Sequence, residues 1–214
     1  MKAGLAAWKR SFGVAWSNLP GVIMLNVLWL VCSLPVITVG PATLASYWWA
    51  AHVLRDEKEE RMGSFFVALK RYFWRGLLWS VAWAAVLLLA YTNTALYGQW
   101  LPPLAGAVVR MAWVYAVIFL VAMQPYLFEL LVMEEHRFFE AVKRSAWQVA
   151  ANPVYSHMQV VVVGLAGFVA WRTTTMVCVL VVALVMVWWA VAACEVPWRY
   201  GERRRVERDL RDVL

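Results

Sequence analysis

Three polar side chains stand inside long apolar stretches of this sequence, where a polar group is a candidate functional site. They are Asn26, Gln124 and Glu129. In a membrane interior such a group either hydrogen-bonds a neighbouring helix or lines a path for a solute. We expect Asn26 to join two helices and Gln124 to satisfy the carbonyl that Pro125 frees. Glu129 stands about one turn from the end of its apolar stretch, so we expect its carboxylate to reach the membrane surface.

A seven-residue pattern that occurs twice is the second candidate site. Phe65-Phe66-Val67-Ala68-Leu69-Lys70-Arg71 recurs 73 residues later as Phe138-Phe139-Glu140-Ala141-Val142-Lys143-Arg144. Each copy predicts an amphipathic helix along the inner membrane surface, with phenylalanine on one face and cations beside it. Such helices can bind membrane lipids or dock a cytoplasmic protein partner. The candidate docking residues are Phe65, Phe66, Lys70, Arg71, Phe138, Phe139, Lys143 and Arg144.

Familiar catalytic and cofactor motifs are absent from the sequence. It lacks the nucleotide loop G-x-x-x-x-G-K-[ST], the nucleophile elbow G-x-S-x-G and the zinc motif H-E-x-x-H. The three histidines are isolated from one another, and the three cysteines lie in apolar runs without a C-x-x-C pair. We therefore predict no catalytic residue, no cofactor and no metal site, and we expect that the protein is not an enzyme.

Composition indicates that lipid surrounds much of the chain. Hydrophobic residues make up 64% of the 214 residues and charged residues only 15%, whereas soluble domains are roughly half apolar and a quarter charged. A chain of this size cannot bury so much apolar surface in one core. The net charge of +7 does not indicate nucleic-acid binding, because the basic residues flank apolar runs.

These patterns predict an all-α fold, a polytopic transmembrane helix bundle with amphipathic cytoplasmic helices, in a single domain over 1–214. About six spans are expected, at 19–37, 41–54, 76–97, 104–133, 156–171 and 175–194, with a charged cytoplasmic tail at 195–214. Two prolines and Gly40 between Ser33 and Pro41 predict a helix reversal. The 41–54 segment covers only about 21 Å, against a bilayer core of about 30 Å, so it is either a short span or a re-entrant segment.

The basic residues predict how the spans are oriented. If 41–54 crosses, all but two of the 20 lysines and arginines lie on the side of the termini and of the two long loops. The exceptions are Arg110 and Arg172. Positive charge marks the cytoplasmic side, so we expect both termini there, in a multi-pass membrane protein. Both copies of the repeated pattern then follow spans of one direction, which favours a parallel repeat over a chance match.

The first part of the chain resembles the YesL-like family of bacterial integral membrane proteins, whose domain has no known function. The resemblance is carried by Asn26-Val27-Leu28-Trp29-Leu30 and by Ser33-Leu34-Pro35-Val36-Ile37-Thr38-Val39-Gly40-Pro41-Ala42-Thr43, followed by the loop helix with Phe65-Phe66. It covers roughly residues 15–200 but rests mainly on the first 75. The resemblance implies an accessory role in sugar import, because members are often encoded beside carbohydrate transporters.

Three functions are therefore compared at this stage. The first is a non-catalytic membrane component linked to carbohydrate uptake of the ABC type, with that transporter or another membrane protein as partner. The second is a transporter or channel for a small solute, with a path between the two repeats. The third is a membrane enzyme that acts on lipid or glycan. The few deep polar residues weigh against the second, and the lack of paired carboxylates or of a His/Asp cluster weighs against the third.

Overall fold

Helices make up the fold of the chain in the computed structural model, which describes residues 18–54, 62–172 and 178–194 and the single positions 13 and 16. It leaves out the side chains of 54, 62, 96–99, 166, 169–172, 178–183 and 194. The elements are α1 (Leu19–Ser33), a 3-10 turn (Val36–Thr38), α2 (Val39–Leu54), α3 (Met62–Arg71), α4 (Phe73–Trp100), α5 (Pro103–Phe128), a π-helical segment (Glu129–Met133), α6 (Phe138–Ala151), α7 (Pro153–Arg172) and α8 (Cys178–Cys194). The all-α prediction is confirmed over these ranges, in which no strand occurs.

Two of the helices are long and apolar enough to cross a membrane. They are Phe73–Ala95, within α4, and Pro103–Met133, which joins α5 to the π-helical segment. Shorter apolar helices lie at Leu19–Ser33, Pro153–Leu165 and Leu184–Ala193. The two long helices expose apolar side chains such as Val81, Leu88, Val108 and Met111 over most of their length, as helices that face lipid do. The count of six spans stays a prediction.

Helix α2 is enclosed by other helices of the bundle. It packs against α1, α3, α4 and α8, and Leu44, Tyr47 and Ala50 are fully buried. A helix that is apolar on every side is stable only inside a protein or in lipid. Its 16 residues span about 24 Å, so α2 is a short buried helix, as its length in the sequence indicates.

The reversal between α1 and α2 is made before Gly40. Pro35 has extended backbone angles and precedes the 3-10 turn, and α2 already begins at Val39. Gly40 has no positive φ, so its role is packing. A Cβ atom on Gly40 would overlap the carbonyl oxygen of Gly76, and one on Gly76 would lie 2.6 Å from Cα of Pro41. The two glycines therefore let α2 and α4 touch backbone to backbone.

This glycine contact sets how far the α1–α2 hairpin reaches along α4. The helices of the hairpin are paired by a hydrogen bond from Nε1 of Trp29 to Oγ1 of Thr43 (3.1 Å). Gly40 meets α4 at Gly76 and Ser80, within its first two turns. From Ser80 to the end of α4 at Trp100 the helix rises by about 30 Å. The reversal therefore stands roughly one bilayer core away from the far end of α4.

Helices α3 and α4 follow each other almost without a break. The Tyr72 N–H donates to the carbonyl of Ala68 (2.9 Å), and the Gly76 N–H donates to the carbonyl of Tyr72 (2.8 Å). Both bonds have the i to i−4 spacing of an α-helix. The first copy of the repeated pattern, which lies in α3, is thus held in register with the candidate span that follows it.

Candidate functional site

An aromatic cluster around Phe128 forms the centre of the bundle. The Phe128 ring meets Tyr47, Trp79 and Trp189 edge-on, with centroid distances of 5.6, 5.5 and 5.3 Å. Aromatic pairs favour this edge-to-face arrangement. The four rings belong to α2, α4, α5 and α8. One fully buried side chain therefore joins four helices.

Glu129 lies at the edge of this cluster. Only 4% of its surface is exposed, and its Oε2 accepts a hydrogen bond from the Tyr47 hydroxyl at 2.9 Å. It is the first residue of the π-helical segment, a rare irregularity that often occurs at functional sites. The expectation that this carboxylate reaches the membrane surface is wrong, because Tyr47 on α2 binds it inside the protein.

Gln124 lies one helical turn before Phe128 and joins α5 to α4. Its Oε1 accepts a hydrogen bond from Nε1 of Trp79 at 2.8 Å, and its Nε2 donates to the carbonyl of Leu120 at 2.9 Å. Pro125 lacks the N–H that would bond the carbonyl of Val121. The prediction that Gln124 satisfies that freed carbonyl is therefore wrong by one residue, and its side chain serves as a link between helices.

Three residues at the α3–α4 junction bind the C-terminal end of the second long helix, and we call Arg71, Tyr72 and Arg75 the junction clasp. Nη1 of Arg75 donates to the carbonyl of Leu131 (2.8 Å), and the Tyr72 hydroxyl donates to that of Val132 (2.9 Å). These carbonyls belong to the π-helical segment. The ends of helices leave carbonyls without partners, and the clasp supplies two donors for them.

Glu135, just beyond the π-helical segment, is held by the same clasp. Its φ is 53°, in the left-handed region that costs a residue with a side chain about 1–2 kcal/mol. Its carboxylate pairs with Arg71, and its carbonyl accepts from Nη2 of Arg75 at 3.2 Å. Burial raises the pKa of the Tyr72 phenol, while the neighbouring Arg71 opposes that shift. Tyr72 therefore stays a neutral donor at ordinary pH.

The two copies of the repeated pattern adopt matching environments. Ala68 and Ala141 are buried, Phe66 and Phe139 are exposed, and both lysines and both arginines are exposed. In each copy the two phenylalanine rings meet edge-on, at 5.6 and 5.7 Å. Both helices also follow and contact a preceding helix, α2 or α5. This agreement supports the interpretation of a structural repeat.

Not every residue of the repeated pattern can dock a partner. Phe65 is fully buried in the core, and Phe138 is half-buried. Phe65 is therefore not a docking residue, because the helix turns Phe65, Ala68 and Tyr72 towards the bundle. Helical spacing shows which residues share a face, but it does not show which face a neighbouring helix covers.

Asn26, the third deep polar residue, is buried on α1. Its Nδ2 donates to the carbonyl of Val22 in the same helix at 2.9 Å, and α1 packs here against α2 and α8. Sequence reasoning missed Tyr47, Trp79 and Arg75 as the partners of the site. Each of these side chains carries a hydrogen-bond donor and stands in or beside an apolar run, which is the signal that the sequence offers. A hydropathy pattern does not show which helix that donor will bind.

Comparison with known proteins gives one match. Residues 22–94 match the family described as "Protein of unknown function, DUF624". The matched third of the chain holds the α1–α2 hairpin, α3 and most of α4, which includes the residues of the resemblance noted in the sequence. It contains Tyr47, Trp79 and the clasp, but not Glu129. No curated protein matches and no solved structure matches.

In the part of the chain that the structure describes, no three His, Cys, Asp or Glu side chains come together in one group. The expected lack of a catalytic residue, of a cofactor and of a metal site stays a prediction. What the site shows is a set of polar contacts that join helices.

Replacing Tyr47 by phenylalanine tests whether the Glu129 contact stabilises the bundle. The variant keeps the ring but leaves the buried carboxylate without this donor, so we expect a loss of about 1–3 kcal/mol in the free energy of unfolding. Tyr91→Phe is the matched control, because Tyr91 is 72% exposed. Unfolding in mixed detergent micelles gives the comparison. Equal stability of the two variants would show that the contact contributes nothing.

Proposed function

We propose that this chain is a non-catalytic integral membrane protein of the bacterial cytoplasmic membrane, an accessory component of carbohydrate uptake of the ABC type. One observation carries the non-catalytic part. The deep polar groups Gln124 and Glu129 are bound by Trp79 and Tyr47 of other helices. Groups used in this way hold helices together instead of facing a substrate. The link to carbohydrate uptake comes from the family resemblance.

For the membrane topology we propose four crossing helices, α4, α5, α7 and α8, and a re-entrant α1–α2 hairpin. The contact of Gly40 with Gly76 supports the re-entrant alternative for 41–54. An α2 that came from the far side would bring its first residues to the end of α4, whereas they pack at its start. A hairpin that enters and returns leaves both termini and both long loops on the cytoplasmic side. The charge distribution is therefore the same as with six spans.

Recovery of the protein in native lipid tests the accessory role. The tagged full chain is extracted in lipid particles, and the proteins that come with it are identified by mass spectrometry. We expect subunits of a carbohydrate importer to be enriched relative to an unrelated polytopic control, and deletion of the gene to slow growth on the imported sugar. Growth that is unchanged on every sugar tested, without enrichment of importer subunits, would contradict the accessory role.

The same material separates the accessory role from the alternative of a solute transporter. Glu129 in its π-helical segment is the observation that favours the alternative, because a buried carboxylate can serve a transport path. The purified chain alone is placed in liposomes, and sugar uptake is measured. An accessory component leaves these liposomes inactive. Uptake by the chain alone, abolished by Glu129→Gln, would establish the transporter instead.

A further inference from the structure

Each copy of the repeated pattern carries one surface stripe that extends beyond the seven matched residues. Phe66, Lys70 and Trp74 follow one another at four-residue spacing, and Phe139, Lys143 and Trp147 repeat this order. Residues four apart lie on one face of a helix. Trp74 is 74% and Trp147 76% exposed, and the phenylalanines and lysines are exposed as well. We call these two sets the aromatic–lysine stripes.

The lysine in each stripe differs from the arginine that follows it. Arg71 pairs with Glu135, and Arg144 pairs with Glu140 at 2.7 Å and hydrogen-bonds His136. Among the residues that the structure describes, neither Lys70 nor Lys143 has a carboxylate partner. Each stripe therefore presents one uncompensated ammonium between two exposed aromatic rings.

A groove runs beside the second stripe. Its volume is about 780 Å³. Lys143, Arg144 and Trp147 line it together with Glu140, Gln148, three alanines of α6 and Leu130 of the π-helical segment. Because Glu140 pairs with Arg144, Lys143 is the cation of this lining that has no carboxylate partner. Leu130 belongs to the end of the long helix Pro103–Met133. The groove thus combines the unpaired Lys143 with apolar surface, beside the C-terminal end of that helix.

We propose that the two aromatic–lysine stripes bind anionic phospholipids of the inner leaflet, with the phosphate on lysine. Tryptophan and phenylalanine favour the headgroup layer, and a lysine near an anionic surface gains about 1 kcal/mol. Lys143, as the cation without a carboxylate partner beside the apolar part of the groove, complements a phosphate that carries acyl chains. A protein partner would need a continuous interface, whereas each stripe offers one cation and two rings.

Lipid retention measures this binding. The full chain is purified in mild detergent from membranes that contain phosphatidylglycerol and phosphatidylethanolamine, and the bound lipids are counted by native mass spectrometry. We expect retained phosphatidylglycerol to fall about fivefold for each lysine lost in Lys70→Gln and Lys143→Gln. Lys143→Gln should show the larger effect, since the groove lies beside it. Replacement by arginine at both positions should retain the lipid.

Arg137→Gln is the matched control, because Arg137 is an exposed cation just before α6 and does not line the groove. It removes the same charge and should leave lipid retention unchanged. Equal retention in the double lysine variant and the unmodified protein would overturn the proposal. Loss of importer subunits with unchanged lipid would also overturn it, in favour of a protein partner. The lipid proposal does not depend on the accessory role, since failure to recover an importer leaves lipid retention as a separate result.

Discussion

Alanine at Gly40 should destabilise the protein by about 3 kcal/mol, the upper end of the usual cost of overpacking, because its Cβ overlaps the carbonyl oxygen of Gly76. A backbone atom cannot move aside as a flexible side chain can, so α2 and α4 must separate. Separation also disturbs the contacts of α2 with α1 and α8. We expect a sharp fall in the yield of folded protein and in the detergent concentration at which it unfolds.

Gly164→Ala is the control for this experiment. Gly164 is also a helical glycine, in α7, and a Cβ atom there meets nothing within 4 Å. Alanine has the better helix propensity, so this variant should be neutral or slightly more stable. Gly76→Ala should resemble Gly40→Ala, and the double variant should lose much less than the sum, because both changes break one contact. Additive losses would mean that the glycines act independently.

Cysteine labelling should show that the α1–α2 reversal is closed to reagents from outside the cell. Val36 is 81% exposed at the reversal, and Trp100 is 83% exposed at the end of α4. The protein itself therefore shields neither position from the reagent. After the three native cysteines are replaced, each position receives one cysteine. An impermeant maleimide added to spheroplasts should label Trp100→Cys fully and Val36→Cys almost not at all, since only Trp100 stands at the outer face.

The outcome for Val36→Cys decides between the two topologies. A six-span bundle carries the reversal to the outer face, so equal labelling of both positions would contradict the re-entrant hairpin. Labelling after the membrane has been made permeable checks that Val36→Cys is reactive when the reagent can reach the cytoplasmic side. The same preparations report whether each variant is present in the membrane at normal amounts.

Local signals in the sequence mark several helix boundaries. Pro102-Pro103 separates α4 from α5, and the break at Asn152-Pro153 separates α6 from α7, because proline cannot continue a helix. The predicted spans 76–97 and 104–133 correspond to the two long apolar helices, Phe73–Ala95 and Pro103–Met133. These features depend on neighbours in the chain, which the sequence displays directly.

Contacts between distant residues could not be predicted in the same way. Gly40 was interpreted as part of a turn, since its role in packing appears only when Gly76 lies opposite. Glu129 was placed at the membrane surface because it stands near the end of its apolar stretch. A hydropathy pattern does not reveal a hydrogen-bond donor on another helix, such as Tyr47 on α2. The exposed face of α6 could have been predicted from the sequence. Both copies of the repeat carry a tryptophan three residues after the arginine, Arg71 or Arg144.

The packing of the first helices against the last described one has a consequence for biosynthesis. Helices α1 and α2 bury one side against α8, and Trp189 of α8 completes the ring around Phe128. At about 5–20 residues per second, the ribosome reaches Trp189 roughly 7–27 s after α2 has been made. Throughout that interval, the surface of the hairpin that α8 will later cover faces lipid or the insertion machinery. Newly made chains are therefore most open to wrong partners in the membrane before α8 has been made.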